Sequence, residues 1–366
     1  MSELAAPHIL ALTAYEPGKP EDELRRELGI DDIVKLASNE NPYGPSPKAI
    51  EALRAGALRL ERYPDPRGYA LREALGAHHD VPSAQLCLGN GSNELIDLIC
   101  RVVASRGEHA VFGHPSFPCY RIGSVAQELR FTAVPLRDDL HWNVDDLLDA
   151  VTPDTKLLFV SNPNNPTGSY IAERELKRLL RSLPERVLAV IDEAYVEYVD
   201  AEDFAPATKL RDTRERMAIL RTFSKAYGLA ALRVGYLLGS TELVFDLNRL
   251  RAPFNVGTLG QVAAKAALGD QPHLRASVEA TLRDRRKLVE ALEAAGLRVA
   301  PSQGNFVLVE VQKPGRAVYE DLLREGVIVR AMGSPLQSWI RVTVGKPEEN
   351  ERFLESLGRV LKGSRG

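Results

Sequence analysis

Cysteine is scarce in this chain. Three occur among 366 residues, Cys87, Cys100 and Cys119, an odd number with no Cys-x-x-Cys pair. A disulfide framework is not expected, and the count suits a reducing compartment such as the cytoplasm. Long apolar runs are missing too. No stretch approaches the roughly 20 residues of a membrane span, and Met1–Pro20 lacks a basic segment followed by an apolar one. Neither a membrane helix nor a secretory leader is expected. Nor is there an excess of one charge: the formal net charge of −3 argues against a nucleic-acid partner. The seven histidines include no His-Glu-x-x-His, and His78-His79 reads as a solvated pair, so no metal is expected. No Gly-x-Gly-x-x-Gly follows an early strand, which disfavours a nicotinamide-binding fold.

What remains is an ordinary globular balance, 44% hydrophobic and 27% charged, in a chain long enough for one large domain and a smaller one. Short strand-like runs occur at residues 85–88, 109–112, 130–134, 156–160, 187–191, 217–221 and 234–238, with helical segments such as 173–182 between several of them. Short apolar strands alternating with helices predict an α/β fold, a mostly parallel sheet sandwiched by helices. The character changes near residue 270. A long charged helix at about 274–295 precedes strands at 305–311, 327–329 and 340–344 and helices at 316–324 and 348–361. The expected organisation is a large domain over 40–270. A smaller α/β domain follows from 271–366, with 1–39 as an N-terminal arm packed on it.

Ligands of open parallel sheets sit beyond the carboxyl ends of the strands. Read in that light, five strand ends carry polar or aromatic groups: Gly91-Ser92-Asn93, His114-Pro-Ser-Phe117, Asn162-Pro-Asn-Asn165-Pro-Thr-Gly168, Asp192-Glu-Ala-Tyr195 and Thr222-Phe-Ser224-Lys225. Gly91-Ser92-Asn93 opens a helix, whose free N–H groups and dipole favour an anion; Ser92 is equally a plain helix cap. Asp192 ends an apolar run, and a carboxylate there needs a partner or a capping role.

The motifs Asn165-Pro-Thr-Gly, Asp192-x-x-Tyr195 and Ser224-Lys225 followed by Arg233 resemble the fold-type I, class II aminotransferases, which use pyridoxal 5'-phosphate. A fuller set resembles the histidinol-phosphate aminotransferase family. It comprises Tyr15-Glu-Pro-Gly-Lys19, Ala37-Ser-Asn-Glu-Asn41-Pro42, Tyr63-Pro-Asp65, Ser224–Ala230, Asn305-Phe306 and Ile340-Arg341-Val-Thr-Val-Gly345. The resemblance covers nearly the whole chain, and its weight lies in the order and spacing of the motifs together.

The resemblance implies a role for each residue. Lys225 bonds the cofactor's aldehyde and moves protons; burial beside other cations lowers a lysine's pKa enough for that. Asp192 holds the pyridine nitrogen, while Tyr195 and Asn165 bond the 3′ oxygen. Phe117 stacks on the ring. Gly91, Ser92, Asn93, Thr222, Ser224 and Arg233 bind the phosphate, and Tyr63 reaches the same phosphate from the partner of a homodimer. Tyr15, Asn41, Arg330 and Arg341 face substrate, Arg341 by a bidentate grip on a carboxylate. Arg330 reads as readily as a surface ion-pair residue. The partners implied are a small-molecule amino donor and a 2-oxo acid acceptor, with no membrane or nucleic acid. The reaction implied runs from histidinol phosphate and 2-oxoglutarate to imidazole-acetol phosphate and glutamate, in histidine biosynthesis. Aromatic aminotransferases and threonine-phosphate decarboxylases share the cofactor residues and are the alternatives. Two departures stand out. Asn93 occupies a position where the family commonly has Asp, and the stretch from Arg330 to Arg341 is shorter than usual and lacks the usual Gly-Tyr.

Overall fold

The computed structural model describes residues 4–14, 18–57 and 60–363. Strand β1 (Val34–Lys35) belongs to the N-terminal segment. Seven strands then build the main sheet: β2 (Leu86–Asn90), β3 (His109–His114), β4 (Arg130–Pro135), β5 (Thr155–Ser161), β6 (Leu188–Asp192), β7 (Met217–Thr222) and β8 (Val234–Leu238). Their spatial order is β2-β8-β7-β6-β5-β3-β4. Every pairing is parallel except the two made by β8, which runs against both β2 and β7.

The central strands β6 and β7 are buried along their whole length, as their apolar composition requires when helices cover both faces. Successive residues pack on opposite sides. Leu157 and Phe159 join Val190 and Leu220 in one core, while Leu158 and Val160 join Ile191 and Ile219 in the other. Strand β4 lies at the sheet edge, buries only Val134, and ends in Pro135, a residue an edge strand tolerates.

Beyond Gly269 the chain turns to a different construction. The helix Gln271–Ala294 leads into β9 (Arg298–Ala300) and β10 (Phe306–Glu310). The helix Gly315–Arg324 precedes β11 (Val327–Ile328), β12 (Arg330–Ala331) and β13 (Trp339–Thr343), and the helix Pro347–Gly363 ends the unit. Strands β12-β13-β10-β9 form an antiparallel sheet, and β1 pairs in parallel with β11. Val307, Val309, Ile340 and Val342 of that sheet meet Leu288, Leu292, Phe353 and Leu357 of two helices in a core of their own.

The N-terminal segment is shared between the two constructions. Leu24 is buried with Ala37 and Ile328, but the helix Pro7–Leu10 lies beside the helix Cys119–Ala126, with His8 3.7 Å from Glu128. The arm therefore does not pack wholly on the C-terminal unit as the sequence suggested. That four-residue helix buries none of its own residues, so polar contact sets its place. Six α-helices went unread in the sequence: Pro7–Leu10, Tyr69–His79, Cys119–Ala126, Val144–Asp149, Thr241–Leu250 and Thr258–Leu268. Most are short, and tertiary contacts rather than internal periodicity fix them. His79 is not a solvated residue. It lies 2.9 Å from the Tyr236 hydroxyl, and burial, with Arg221 nearby, pushes its pKa down to about 3.

One close approach in the sheet is testable. A Cβ on Gly113 of β3 would fall 1.5 Å from the Trp142 ring, which is itself 7% exposed and has nowhere to retreat. Gly113→Ala should cost about 1–3 kcal/mol or more through overpacking, read as a lower urea midpoint with an unchanged slope.

Candidate active site

Strands β2, β3, β5, β6 and β7 all end on the same side of the main sheet, and β8 begins there because it runs the other way. The residues just past those ends surround one cavity of about 220 Å³. Ser92, Asn93, Phe117, Asn165, Asp192, Tyr195, Thr222, Ser224, Lys225 and Arg233 line it from the sheet side, and Arg330 and Arg341 close it from β12 and β13. Twelve of the residues picked from the sequence are thus brought together. Among the lining residues Asp192 is the one carboxylate, set against four cations. The cavity is built for anions.

Three groups meet at its base. Lys225 Nζ donates to the Ser38 carbonyl at 2.9 Å and stands 5.8 Å from the Tyr195 ring centre. Burial drives its pKa down to about 7, with Arg341 and Arg233 adding to the effect and Glu40 opposing it. Asp192 is buried at the end of β6. Its Oδ2 accepts from the Tyr120 hydroxyl at 2.8 Å, while its Oδ1 is buried with no hydrogen-bond partner among the described residues. Burial pushes that carboxyl up to about 6, against the pull of the Tyr120 bond. The Tyr195 hydroxyl accepts from Asn39 at 3.0 Å and Asn165 at 3.3 Å. Asn165 in turn accepts from Arg341 at 2.5 Å, and Arg341 also donates to the Ala37 carbonyl at 2.7 Å.

At the other end lies a cradle of donors. Gly91, with φ of +73°, starts the helix Gly91–Val103, and a Cβ there would sit 2.6 Å from Arg233 Nη2. The glycine lets the guanidinium reach the helix N-terminus, where free amides and the dipole favour an anion. Arg233 itself holds φ of +54°, a left-handed conformation unusual for a side-chain-bearing residue and characteristic of functional positions. Its guanidinium reaches Ser224 Oγ at 3.4 Å, and Thr222 Oγ1 accepts the Ser224 amide at 3.0 Å.

Three expected site residues stand apart from the cavity lining. Gly91 acts only as backbone behind it. Asn41 spends its amide on the Ala226 carbonyl at 2.9 Å and on Ser277 at 2.8 Å, anchoring the loop; Asn39, two residues earlier, takes the place in the lining. Tyr63 is 82% exposed and stacks on Phe254 at 4.6 Å. Tyr15 lies outside the described residues. The sequence reading missed Ser38, Asn39 and Tyr120. Tyr120 follows Phe117 by three positions, so both fall on one face of the same turn, a spacing that could have flagged it. Tyr120→Phe should cost the cofactor-free protein about 1–3 kcal/mol at neutral pH, because the Asp192 carboxylate loses its one side-chain donor. The loss should shrink as pH falls through about 6 and Asp192 takes up a proton. Urea unfolding of wild type and variant at neutral and acid pH reads both effects.

The sequence profile for aminotransferase class I and II matches residues 31–357. The chain is 45% identical to histidinol-phosphate aminotransferase 2 of Pseudomonas aeruginosa, covering 98% of each chain. It is 44% identical to the histidinol-phosphate aminotransferase of an Anaeromyxobacter species, over 98% of this chain and 99% of that one. Among solved structures, the Sinorhizobium meliloti histidinol-phosphate aminotransferase in complex with pyridoxal-5'-phosphate superposes with a TM-score of 0.91 at 28% identity, over 100% of this chain and 99% of the other. A Thermus thermophilus aspartate aminotransferase double mutant gives 0.83 at 26% identity, over 98% and 100%. With a lysine, an acid and an amide set at the strand ends and likeness running the length of the chain, the protein belongs to the aminotransferase class I and II family.

Proposed function

We propose that this protein is a pyridoxal-phosphate-dependent aminotransferase of histidine biosynthesis. It moves the amino group of histidinol phosphate to 2-oxoglutarate, giving imidazole-acetol phosphate and glutamate. One observation carries the chemistry: a buried lysine amine with its pKa near 7 shares a cavity with a buried carboxylate whose Oδ1 has no hydrogen-bond partner among the described residues. The names of the relatives, over almost the full chain, support the donor.

The donor set fits the cofactor. The spare oxygen of Asp192 suits a protonated ring nitrogen, and the cradle of Gly91, Ser92, Asn93, Thr222, Ser224 and Arg233 suits its phosphate. Phe117 is placed to stack on the ring, and Tyr195 with Asn165 to bond its 3′ oxygen. When bound, pyridoxal 5'-phosphate supplies an aldehyde for amines and a ring that withdraws electrons from the substrate α-carbon. Asp192 would keep the ring nitrogen protonated. Lys225, about half neutral near pH 7, would hold the cofactor's aldehyde and, once its amine is free, would act as the base that holds the substrate's α-proton on Nζ. Arg341 receives a substrate carboxylate, with Arg330 as a second cation at that end.

We read the protein as a cytoplasmic homodimer. Tyr63, Tyr69, Phe245, Leu250 and Phe254 are large apolar side chains left exposed on two neighbouring stretches, a patch suited to a second copy. Tyr63 and Asn41 would then complete or brace the site, and Tyr15 would close over it. Among the described residues no helix is long and apolar enough to cross a membrane. The two separate cores favour a large domain over 40–270 and a small one from 1–39 and 271–366.

Lys225→Ala should abolish both turnover and the visible absorbance of the purified protein; turnover that persists would remove the lysine from the mechanism. The cofactor-free protein should capture added pyridoxal 5'-phosphate faster as pH rises through about 7, because the neutral amine is the reacting form. A rate that climbs only near the ordinary lysine range would mean the amine is not depressed. Asp192→Asn should retain the fold but lose about a hundredfold or more in turnover.

A further inference from the structure

The carboxylate at the base of the cavity is held from behind. Tyr120, in the first turn of the helix Cys119–Ala126, is wholly shielded from water and does not line the cavity. Its hydroxyl donates to Asp192 Oδ2 at 2.8 Å, and Ser161, opposite Asp192 in the register of β5 and β6, stands beside the same hydroxyl. The ring is fixed by its neighbours. It stacks on Phe159 at 5.0 Å and meets Phe117 edge to face at 5.8 Å, so the hydroxyl cannot swing away to another acceptor. Burial and the facing carboxylate push its pKa well up, so it remains a donor. The other ionisable groups around Asp192 leave that contact alone. Glu193 is closed on Arg221, and the Cys119 thiol, pushed up to about 12 by burial, stays neutral. Lys225, Arg233, Arg330 and Arg341 share the cavity with the carboxylate.

We propose that Tyr120 is a positioning residue that decides where the proton between Asp192 and the cofactor's ring nitrogen resides, and keeps it on the ring. The inference rests on the pyridoxal-phosphate reading above and goes beyond it, because Asp192 by itself leaves the matter open. In a dry site a carboxylate gains by taking the proton, which leaves both groups neutral. Burial already pushes Asp192 up to about 6. A hydroxyl aimed at Oδ2 stabilises the charged carboxylate more than the neutral acid, and so makes Asp192 the weaker base. It also occupies Oδ2, so that Oδ1, buried with no hydrogen-bond partner among the described residues, is the oxygen left for the nitrogen. A ring that keeps its proton is the stronger electron sink.

The test follows the proton itself. The holoenzyme is loaded with pyridoxal 5'-phosphate carrying heavy nitrogen in its ring, and the NMR shift of that nitrogen is read in wild type and in Tyr120→Phe, which keeps the ring contacts and loses only the hydroxyl. Wild type should show a protonated ring at neutral pH. The variant should move towards the neutral ring, and its turnover should fall about tenfold. The same nitrogen shift in both proteins overturns the proposal whatever happens to turnover, because a tyrosine that merely filled space would leave the proton where it was. A wild type whose ring is already unprotonated overturns it too. If wild type does not bind the cofactor, the reading above fails, and titration of Asp192 in the cofactor-free protein by carbon NMR decides the role of Tyr120 separately. The Asp192 pKa should rise above its wild-type value of about 6 in Tyr120→Phe. Should that variant not fold, replacing Tyr120 by 3-fluorotyrosine keeps the shape and strengthens the donor, and the pKa should fall instead. An Asp192 pKa that does not move overturns the proposal.

Discussion

A buried ion pair clamps together the two strand ends on which the site depends. Glu193, directly after β6, accepts from Arg221 of β7 at 2.6 and 2.8 Å, and both side chains are almost wholly shielded from water. The neighbours of that pair are the working residues: Asp192 precedes Glu193, and Thr222 follows Arg221. Glu193 also accepts the Ala207 amide, and its own amide bonds the Leu220 carbonyl. With its valences filled in this way, the pair fixes the offset between β6 and β7. Leaving either charge alone in that place would cost about 3–5 kcal/mol. The acid and the lysine are thereby held at a set separation by residues that never enter the cavity.

Much of this was legible in the sequence because a parallel sheet sorts residues by position. An apolar run too continuous to be half exposed is a buried strand, and whatever polar residue follows it stands at the carboxyl end. That logic located Asp192, Asn165, Thr222, Ser224 and Lys225 without knowledge of any contact. It also located the helix start at Gly91. The central strands were read to within about two residues for the same reason, whereas the short helices, which carry no long periodicity, were not.

The parts that escaped depend on contacts remote in sequence. Asn39 and Asn41 sit in one loop and look alike on paper. Asn39 faces the cavity because it holds φ of +54° and because Asn305 and Thr343, far along the chain, pin its backbone. Tyr120 would pass for an ordinary core tyrosine, stacked as it is on Phe159 at 5.0 Å. Its polar tip matters only because Asp192 lies within reach. Tyr63, an exposed ring stacked on Phe254, does not reach the cavity of its own chain.

The cations at the far end of the cavity act on the lysine at a distance. Arg341 is, after burial itself, the strongest influence lowering the pKa of Lys225. An anion that neutralised Arg341 would remove that influence and raise the basicity of the amine. The same arginine grips the Ala37 carbonyl while the lysine grips the carbonyl of Ser38, so the two charges are also tethered to adjacent links of one backbone. Charge at one end of the pocket thus bears on basicity at the other through the electric field between them.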